Sequence, residues 1–175
     1  MIGKKTNNDI PQFRPFLCID NTIMSTFNPK NYYWKSDINY RERPDQYRVG
    51  KGEQGVLLCE PYKSEILPYW KFKNPSDAKE SSKNIYQLFL NYLANDDFVG
   101  ADMARKYLQM GFTRARRYAN YKSGKKYTKS GELLPRNTGE KLKANSAKIF
   151  YKQWQEAEKN LKYQNQKILW KNKYG

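Results

Sequence analysis

The sequence predicts a single α+β domain, with short strands and loops in its N-terminal half and helices in its C-terminal half. Chain length, proline placement and hydrophobic period support this prediction. The 175 residues match one hydrophobic core, which usually occupies about 100 to 200 residues. Prolines recur before position 75, and a helical apolar period follows it. We expect a flexible arm over residues 1–12 and one domain over residues 13–175.

Short strands are expected where apolar runs are bounded by turn residues, at 16–19 and 56–59. The glycines in 50–55 match the GxGxxG pattern of dinucleotide-binding folds, but here they precede a strand-like run instead of following one. A glycine-rich turn is the simpler interpretation, and its backbone N–H groups can still hold a phosphate. The candidate phosphate loop consists of Arg48, Lys51 and Gly52.

The first helix of the C-terminal half is predicted by apolar residues that recur at intervals of three and four between Ile85 and Leu93. Pro75 suits the first position of a helix, because its missing N–H would have no partner there. Asn74 or Ser76 can cap this end. We therefore expect a helix that starts at or near Pro75 and buries one apolar face.

A long helix is predicted at the C-terminus. Thr138 can cap its first turn. An apolar stripe runs from Ala147 to Leu161 and is continued by Ile168. With the helices before it, this element gives the C-terminal half its expected helical character.

The middle of the chain looks like a helix-turn-helix. A helix that Asp96 or Asp97 caps would end near Gln109, Gly111 suits a left-handed helix terminus, and Thr113 can cap the next helix. The second helix of this motif normally lies in the major groove, where its first residues contact bases. Guanidinium groups suit both guanine edges and phosphates, and a solvated cationic face is the alternative. The early residues here are Arg114, Arg116 and Arg117.

Positive charge is concentrated in one segment. The formal net charge is +16, from 33 Lys and Arg against 17 Asp and Glu, and residues 103–152 alone hold 14 basic and 2 acidic residues. Such a concentration predicts a one-sided basic face and an anionic partner.

Within this segment, residues 121–129 interleave aromatic and basic side chains. Rings can stack on unpaired bases while lysines neutralise phosphates, a combination that favours single strands and RNA loops over duplex DNA. As an alternative, Tyr121 and Tyr127 pack beneath the loop. The complete set of candidate nucleic-acid-binding residues is Arg105, Arg114, Arg116, Arg117, Tyr121, Lys122, Lys125, Lys126 and Tyr127.

Several catalytic chemistries are excluded by composition. The chain has no histidine and only two cysteines, Cys18 and Cys59, so His-based triads and thiolate zinc sites are excluded. The remaining enzyme hypothesis is a magnesium-dependent nuclease, for which two carboxylates would hold the metal and a lysine would assist water. Its candidate residues are Glu60, Lys63 and Glu65, although their spacing departs from the usual acidic-x-Lys strand pattern. No metal or cofactor is expected outside that alternative.

No apolar run approaches the roughly 18 residues that a membrane span needs, and the first ten residues lack the hydrophobic stretch of a signal peptide. We therefore expect a cytoplasmic protein with no membrane partner. The two cysteines are expected to be small core residues in a reducing compartment.

Two runs resemble a family of basic proteins of unknown function that occurs in T-even-like and cyanobacterial phages and in some microbes. They read YRVGKGEQGVLLCEPYKSEILPYW over 47–70 and DFVGADMARKYLQMGFTRARRYAN over 97–120. The resemblance extends roughly over residues 27–163. Some phage members carry the label of a modifier of suppressor tRNAs, which implies an RNA partner and a host-cell cytoplasm, but it implies no catalytic residues.

The expected function is therefore noncatalytic binding of nucleic acid, with RNA, including tRNA, preferred to DNA. Two alternatives stay open. One is the metal-dependent enzyme on nucleic acid, and the other is an adaptor that binds an acidic host protein through the same basic face.

Overall fold

The computed structural model describes residues 32–175, and the expected arm over 1–12 and the run 16–19 lie outside them. The described part of the chain contains five α-helices and three short 3₁₀ turns. The turns are Pro44–Gln46, Leu67–Tyr69 and Lys122–Gly124. The helices are α1 (Tyr62–Ile66), α2 (Pro75–Ala94), α3 (Phe98–Asn120), α4 (Lys141–Lys159) and α5 (Leu161–Tyr174).

The predicted α+β class is wrong for residues 32–175, where the chain is helical and no strand forms. The run 56–59 folds as successive turns because its N–H groups bond locally. The amides of Leu58 and Cys59 both donate to the carbonyl of Gly55, at 3.0 and 3.1 Å. Only two isolated bridges occur in this part of the chain, one between Asn39 and Glu60 and one between Tyr127 and Leu133.

At the start of each central helix, one of the two candidate caps is confirmed. Asn74 Oδ1 accepts from the Asp77 amide at 2.8 Å and starts α2, with Pro75 in its first turn. Asp97 Oδ1 accepts from the Gly100 amide at 3.0 Å and starts α3. These short polar side chains satisfy N–H groups that have no partner inside the helix.

Helices α2, α3 and α4 pack against one another, with α3 in the centre. Helices α3 and α4 run antiparallel, because Tyr118 meets Lys143 near one end and Arg105 meets Glu158 near the other. From Phe98 to Leu108 every residue of α3 is buried. The centre of the core is therefore a helix surrounded on all sides.

The predicted helix-turn-helix is wrong, because α3 continues without a break through Gly111. This glycine is needed for packing instead. A Cβ at position 111 would lie 2.6 Å from Phe150 Cγ on α4, far inside van der Waals contact. Thr113 does not cap a helix either, since its hydroxyl donates to Glu53 and lies 3.2 Å from the Met110 carbonyl within α3.

The predicted long terminal helix is also wrong, because it is divided into α4 and α5 at Asn160. Asn160 has an extended ψ of 118°, and its side chain accepts from the Tyr163 amide at 3.1 Å. An Asn in this position is a favourable cap, so it starts a new helix. Thr138 lies outside α4, which begins at Lys141 without a side-chain cap.

Candidate nucleic-acid interface

Both ends of the loop 121–140 are fixed to the C-terminal end of α3. On the outgoing side, the amide of Tyr121 donates to the Arg117 carbonyl at 2.9 Å. On the returning side, the amide of Thr138 donates to Asn120 and that of Glu140 to Tyr118, at 3.3 and 3.0 Å. These bonds occupy carbonyls that the helix end leaves without partners, so the loop projects from a defined base.

The middle of this loop is a short hairpin. Tyr127 and Leu133 form an antiparallel bridge, and the Leu134 amide donates to the Lys126 carbonyl at 2.9 Å. Nearer the tip, the Thr128 amide donates to the Glu132 carbonyl at 2.8 Å. The backbone of the hairpin is therefore formed without a ligand, and it fixes the positions from which the lysines and the ring project.

Eight cations of this loop and of α4 as far as Lys152 are exposed, and in the described part of the chain none of them has a carboxylate within ion-pair distance. Two acidic residues, Glu132 and Glu140, occur in the same segment. The three cations that belong to α4 lie seven and then four residues apart along the helix, so they share one of its faces. The eight residues are Lys122, Lys125, Lys126, Lys129, Arg136, Lys141, Lys148 and Lys152. We call this set the basic end.

The two candidate stacking rings differ in exposure. Tyr127 is 45% exposed, and Lys126 Nζ lies 5.3 Å from its ring centroid. Tyr121 is only 8% exposed and packs beneath the loop. Of the two rings, the one that an unpaired base can reach is Tyr127.

The three candidate arginines of α3 lie in its last two turns, next to the basic end. Arg116 is exposed, with its guanidinium carbon 5.7 Å from the Phe112 ring centroid. Arg114 and Arg117 are half-buried. Because α3 is continuous, these arginines belong to the side of a packed helix and not to the start of a protruding one.

Arg105, another candidate for phosphate contact, is buried in an ionic network at the centre of the molecule. Its side chain is 4% exposed. Nη2 donates to Asp102 Oδ1 at 2.7 Å and Nε donates to the Tyr163 hydroxyl at 3.0 Å. The hydroxyls of Tyr163 and Tyr47 also donate to Asp102. This arginine is fixed to a carboxylate and lies away from the basic end.

Lys106 completes the network. It is fully buried, donates to the Gln54 carbonyl at 2.7 Å, and lies 3.8 Å from Asp102 Oδ2. Burial lowers the pKa of Lys106 and opposes the charge of Asp102, which raises it. Burial also raises the pKa of Asp102, but the charges of Arg105 and Lys106 outweigh this and leave the pKa well below its usual range. Asp102 is therefore a carboxylate at neutral pH.

A second basic region surrounds a cavity of about 300 Å³. Two residues of the predicted phosphate loop, Lys51 and Gly52, line it together with Arg105. Arg48 does not line it, because its guanidinium donates to the Asp45 carbonyl at 2.6 Å and lies over Tyr174. Sequence reasoning missed the other polar lining residues, which are Gln109, Glu158, Lys167 and Lys171. The only sequence signal for these lining residues was the spacing of four between the two lysines, which places them on one face of a helix.

The three candidate nuclease residues have other partners. Glu60 pairs with Lys63 Nζ at 2.8 Å and accepts from the Ser64 hydroxyl at 2.7 Å. Glu65 pairs with Arg41 at 2.7 Å and accepts from the Tyr92 hydroxyl. Among residues 32–175, no three His, Cys, Asp or Glu side chains are grouped so that they could hold a metal ion.

The described helices also bear on membrane insertion and on the state of the cysteine. Over residues 32–175, no helix combines the length and the apolar content that crossing a bilayer requires. Cys59 is a free, buried thiol, and burial raises its pKa to about 12. It is therefore a core residue and not an activated nucleophile.

The chain belongs to the family described as Domain of unknown function (DUF4385), whose model matches residues 31–173. This confirms the expected membership in a family of unknown function. No curated protein and no solved structure is significantly similar to the chain.

Proposed function

We propose that the chain is a noncatalytic nucleic-acid-binding protein that prefers RNA and binds it through the basic end. The observation that carries this proposal is the group of eight exposed cations without carboxylate partners in the described residues. Unpaired surface cations repel one another, which disfavours the compact state. A polyanion that neutralises them removes this repulsion and releases its own counterions.

RNA is favoured over duplex DNA by the kind of surface that carries the charge. A major groove is usually read by a protruding helix, whereas here the basic end is a hairpin loop beside the exposed face of a packed helix. The exposed ring of Tyr127 lies among Lys125, Lys126 and Lys129 and suits an unstacked base between phosphates. Unstacked bases are common in RNA loops. The resemblance to phage proteins labelled as modifiers of suppressor tRNAs points to tRNA as one such ligand.

The enzyme alternative gains no support from the described residues, because Glu60, Lys63 and Glu65 are held by separate partners. Incubation of labelled tRNA with the protein, in magnesium or in EDTA, tests it directly. We expect intact RNA in both conditions. Cleavage that requires magnesium and disappears in Glu60→Ala would contradict the noncatalytic proposal.

A salt titration tests the binding mode. If about six to ten phosphates are engaged, the affinity for tRNA falls by about 10³ to 10⁵ between about 50 and 200 mM salt. Duplex DNA of equal charge is the matched competitor, and we expect it to displace tRNA less well than a single-stranded RNA does. An affinity that does not change with salt would contradict the proposal.

An acidic host protein would contact the same cations, and a second test distinguishes such a partner from nucleic acid. After affinity capture from cells, nuclease digestion separates the two partners. We expect nucleic acid to be recovered and co-purified proteins to be lost on digestion. A single acidic protein that stays bound after digestion would favour the adaptor instead.

A further inference from the structure

We propose that the cavity between residues 49–52 and helices α3, α4 and α5 binds a phosphate monoester, at a site separate from the basic end. Its volume of about 300 Å³ lies at the lower limit of small-molecule pockets, which is about 300 Å³. The cavity opens to solvent, so a phosphate can lie in it while its organic substituent extends outward. Four cations and one carboxylate line it, namely Lys51, Arg105, Lys167, Lys171 and Glu158.

Arg105 is the built part of this site. It is 3% exposed, and Asp102 and Tyr163 fix one edge of its guanidinium. The other edge, at Nη1, faces the cavity, where it donates to Gln109 Oε1 at 2.8 Å and lies 3.4 Å from the Gly52 carbonyl. Because a buried carboxylate holds this planar donor in place, an anion that replaces Gln109 or Glu158 at Nη1 meets a guanidinium that is already oriented.

Glu158 is the carboxylate that faces the cations of the cavity. It accepts from Trp154 Nε1 at 3.1 Å and lies 3.5 Å from Arg105 Nη1 and 3.9 Å from Lys167 Nζ. A bound anion therefore competes with Glu158 for the same cations. The remaining excess of cations favours a ligand with more than one negative charge.

A phosphate monoester has this charge, since it carries about −1.5 to −2 at pH 7, whereas a phosphodiester within a chain carries one negative charge. Val49 and Trp154 give the cavity an apolar wall for the substituent. The same chemistry occurs on a free nucleotide and on the terminal phosphate of an RNA. The experiment separates these two sources.

Isothermal titration at low salt, with the full chain, uses AMP, inorganic phosphate and adenosine as probes. We expect AMP to bind, inorganic phosphate to compete with it, and adenosine not to bind. Lys171→Gln should weaken AMP binding about tenfold, which is about 1.4 kcal/mol. Lys173→Gln is the matched control, because Lys173 is exposed on the same helix and does not line the cavity. Equal affinities for AMP and adenosine, or equal losses in both variants, would overturn the proposal.

Glu158→Gln should change the affinity for AMP in the direction opposite to that of Lys171→Gln. Removal of the competing carboxylate should strengthen AMP binding, and a weaker affinity would contradict an anion site. A 5′-phosphorylated oligoribonucleotide that binds better than its 5′-hydroxyl form, with the preference lost in Lys171→Gln, assigns the site to RNA ends. AMP binding without this preference assigns it to free nucleotides. Lys125→Gln with Lys126→Gln should leave AMP binding unchanged, so that failure of this site and failure of the RNA surface are distinguishable.

Discussion

At the scale of single residues, the fate of a charged side chain depends on its neighbours in space. Asp102, Arg105 and Lys106 follow at spacings of three and four on α3, a pattern that is usual on exposed helix faces. Here α5 and residues 47–56 cover them, so Tyr47, Tyr163 and the Gln54 carbonyl become their partners. The charge pattern was visible in the sequence, but its burial was not, since the covering groups are distant along the chain.

Removal of the Asp102 charge tests how much this network stabilises the fold. Asp102→Asn keeps the shape but removes the buried counterion of Lys106 and leaves Arg105 only the more distant Glu158, which should cost about 3 to 5 kcal/mol in the free energy of unfolding. Urea denaturation measures the loss. Asp96→Asn is the matched control, because Asp96 is 76% exposed in its side chain and pairs with Lys162 at the surface; its effect should be under about 1 kcal/mol. Equal losses would contradict the role of the network.

The low pKa of Asp102 predicts how this stabilisation depends on pH. The unfolded chain takes up its proton near pH 3.9, whereas the folded protein takes it up at lower pH. The contribution of Asp102 is therefore fully present above about pH 4 and is lost as the pH falls through the folded pKa. The difference in unfolding free energy between wild type and Asp102→Asn should shrink on acidification. A difference that grows below pH 4 would contradict the assigned ionisation.

The exposure of two tyrosines leads to opposite predictions. Tyr127→Ala should cost about 1 to 3 kcal/mol in RNA binding, because a stacked base is lost, with stability within about 0.5 kcal/mol of wild type. Tyr121→Ala should cost about 3 kcal/mol in stability, because it leaves a cavity. Tyr127→Phe is the control and should retain binding. Fluorescence anisotropy with a labelled RNA loop measures the affinities, and an unaffected Tyr127→Ala would remove the ring from the interface.

At the scale of elements, the sequence was informative where local chemistry decides and misleading where packing decides. The starts of α2 and α3 were predicted to within two residues, with Asn74 and Asp97 each as one of two candidate caps, since a cap is a contact over three residues. The role of Gly111 could not be predicted, because a glycine that ends a helix and a glycine that makes room for a neighbouring ring look alike in sequence. The short apolar run 56–59 was equally ambiguous between strand and turn.

Gly111→Ala tests the continuous helix. Helix propensity alone would stabilise the variant by about 1 kcal/mol, but the clash with Phe150 should reverse the sign and cost about 1 to 3 kcal/mol. Thermal and urea unfolding measure the change. In the Phe150→Ala background the clash is absent, so the same substitution should become stabilising. A substitution that stays destabilising there would indicate a left-handed residue 111 and a broken helix.

At the scale of the whole molecule, the basic residues are concentrated in one segment, as the sequence indicates, but some of them are buried. Of the 14 basic residues over 103–152, Arg105, Lys106 and Lys143 are buried. Lys143 donates to the Phe72 carbonyl at 3.2 Å and lies over two rings. The basic end retains eight cations, so the predicted site keeps its loop lysines and gains a face of α4. That face depends on where α4 begins, which the sequence did not indicate.

The most direct test of the basic end compares two double variants that remove the same charge. The first pair, Lys125→Gln with Lys126→Gln, removes two charges of the basic end. The second pair, Lys79→Gln with Lys83→Gln, removes two charges from the exposed side of α2. The dependence of tRNA affinity on salt is measured for both and for wild type. We expect weaker binding and a salt slope reduced by about 1.4 to 1.8 for the first pair, at about 0.7 to 0.9 for each lost phosphate contact, and values close to wild type for the second. Equal slopes in the two variants would contradict it.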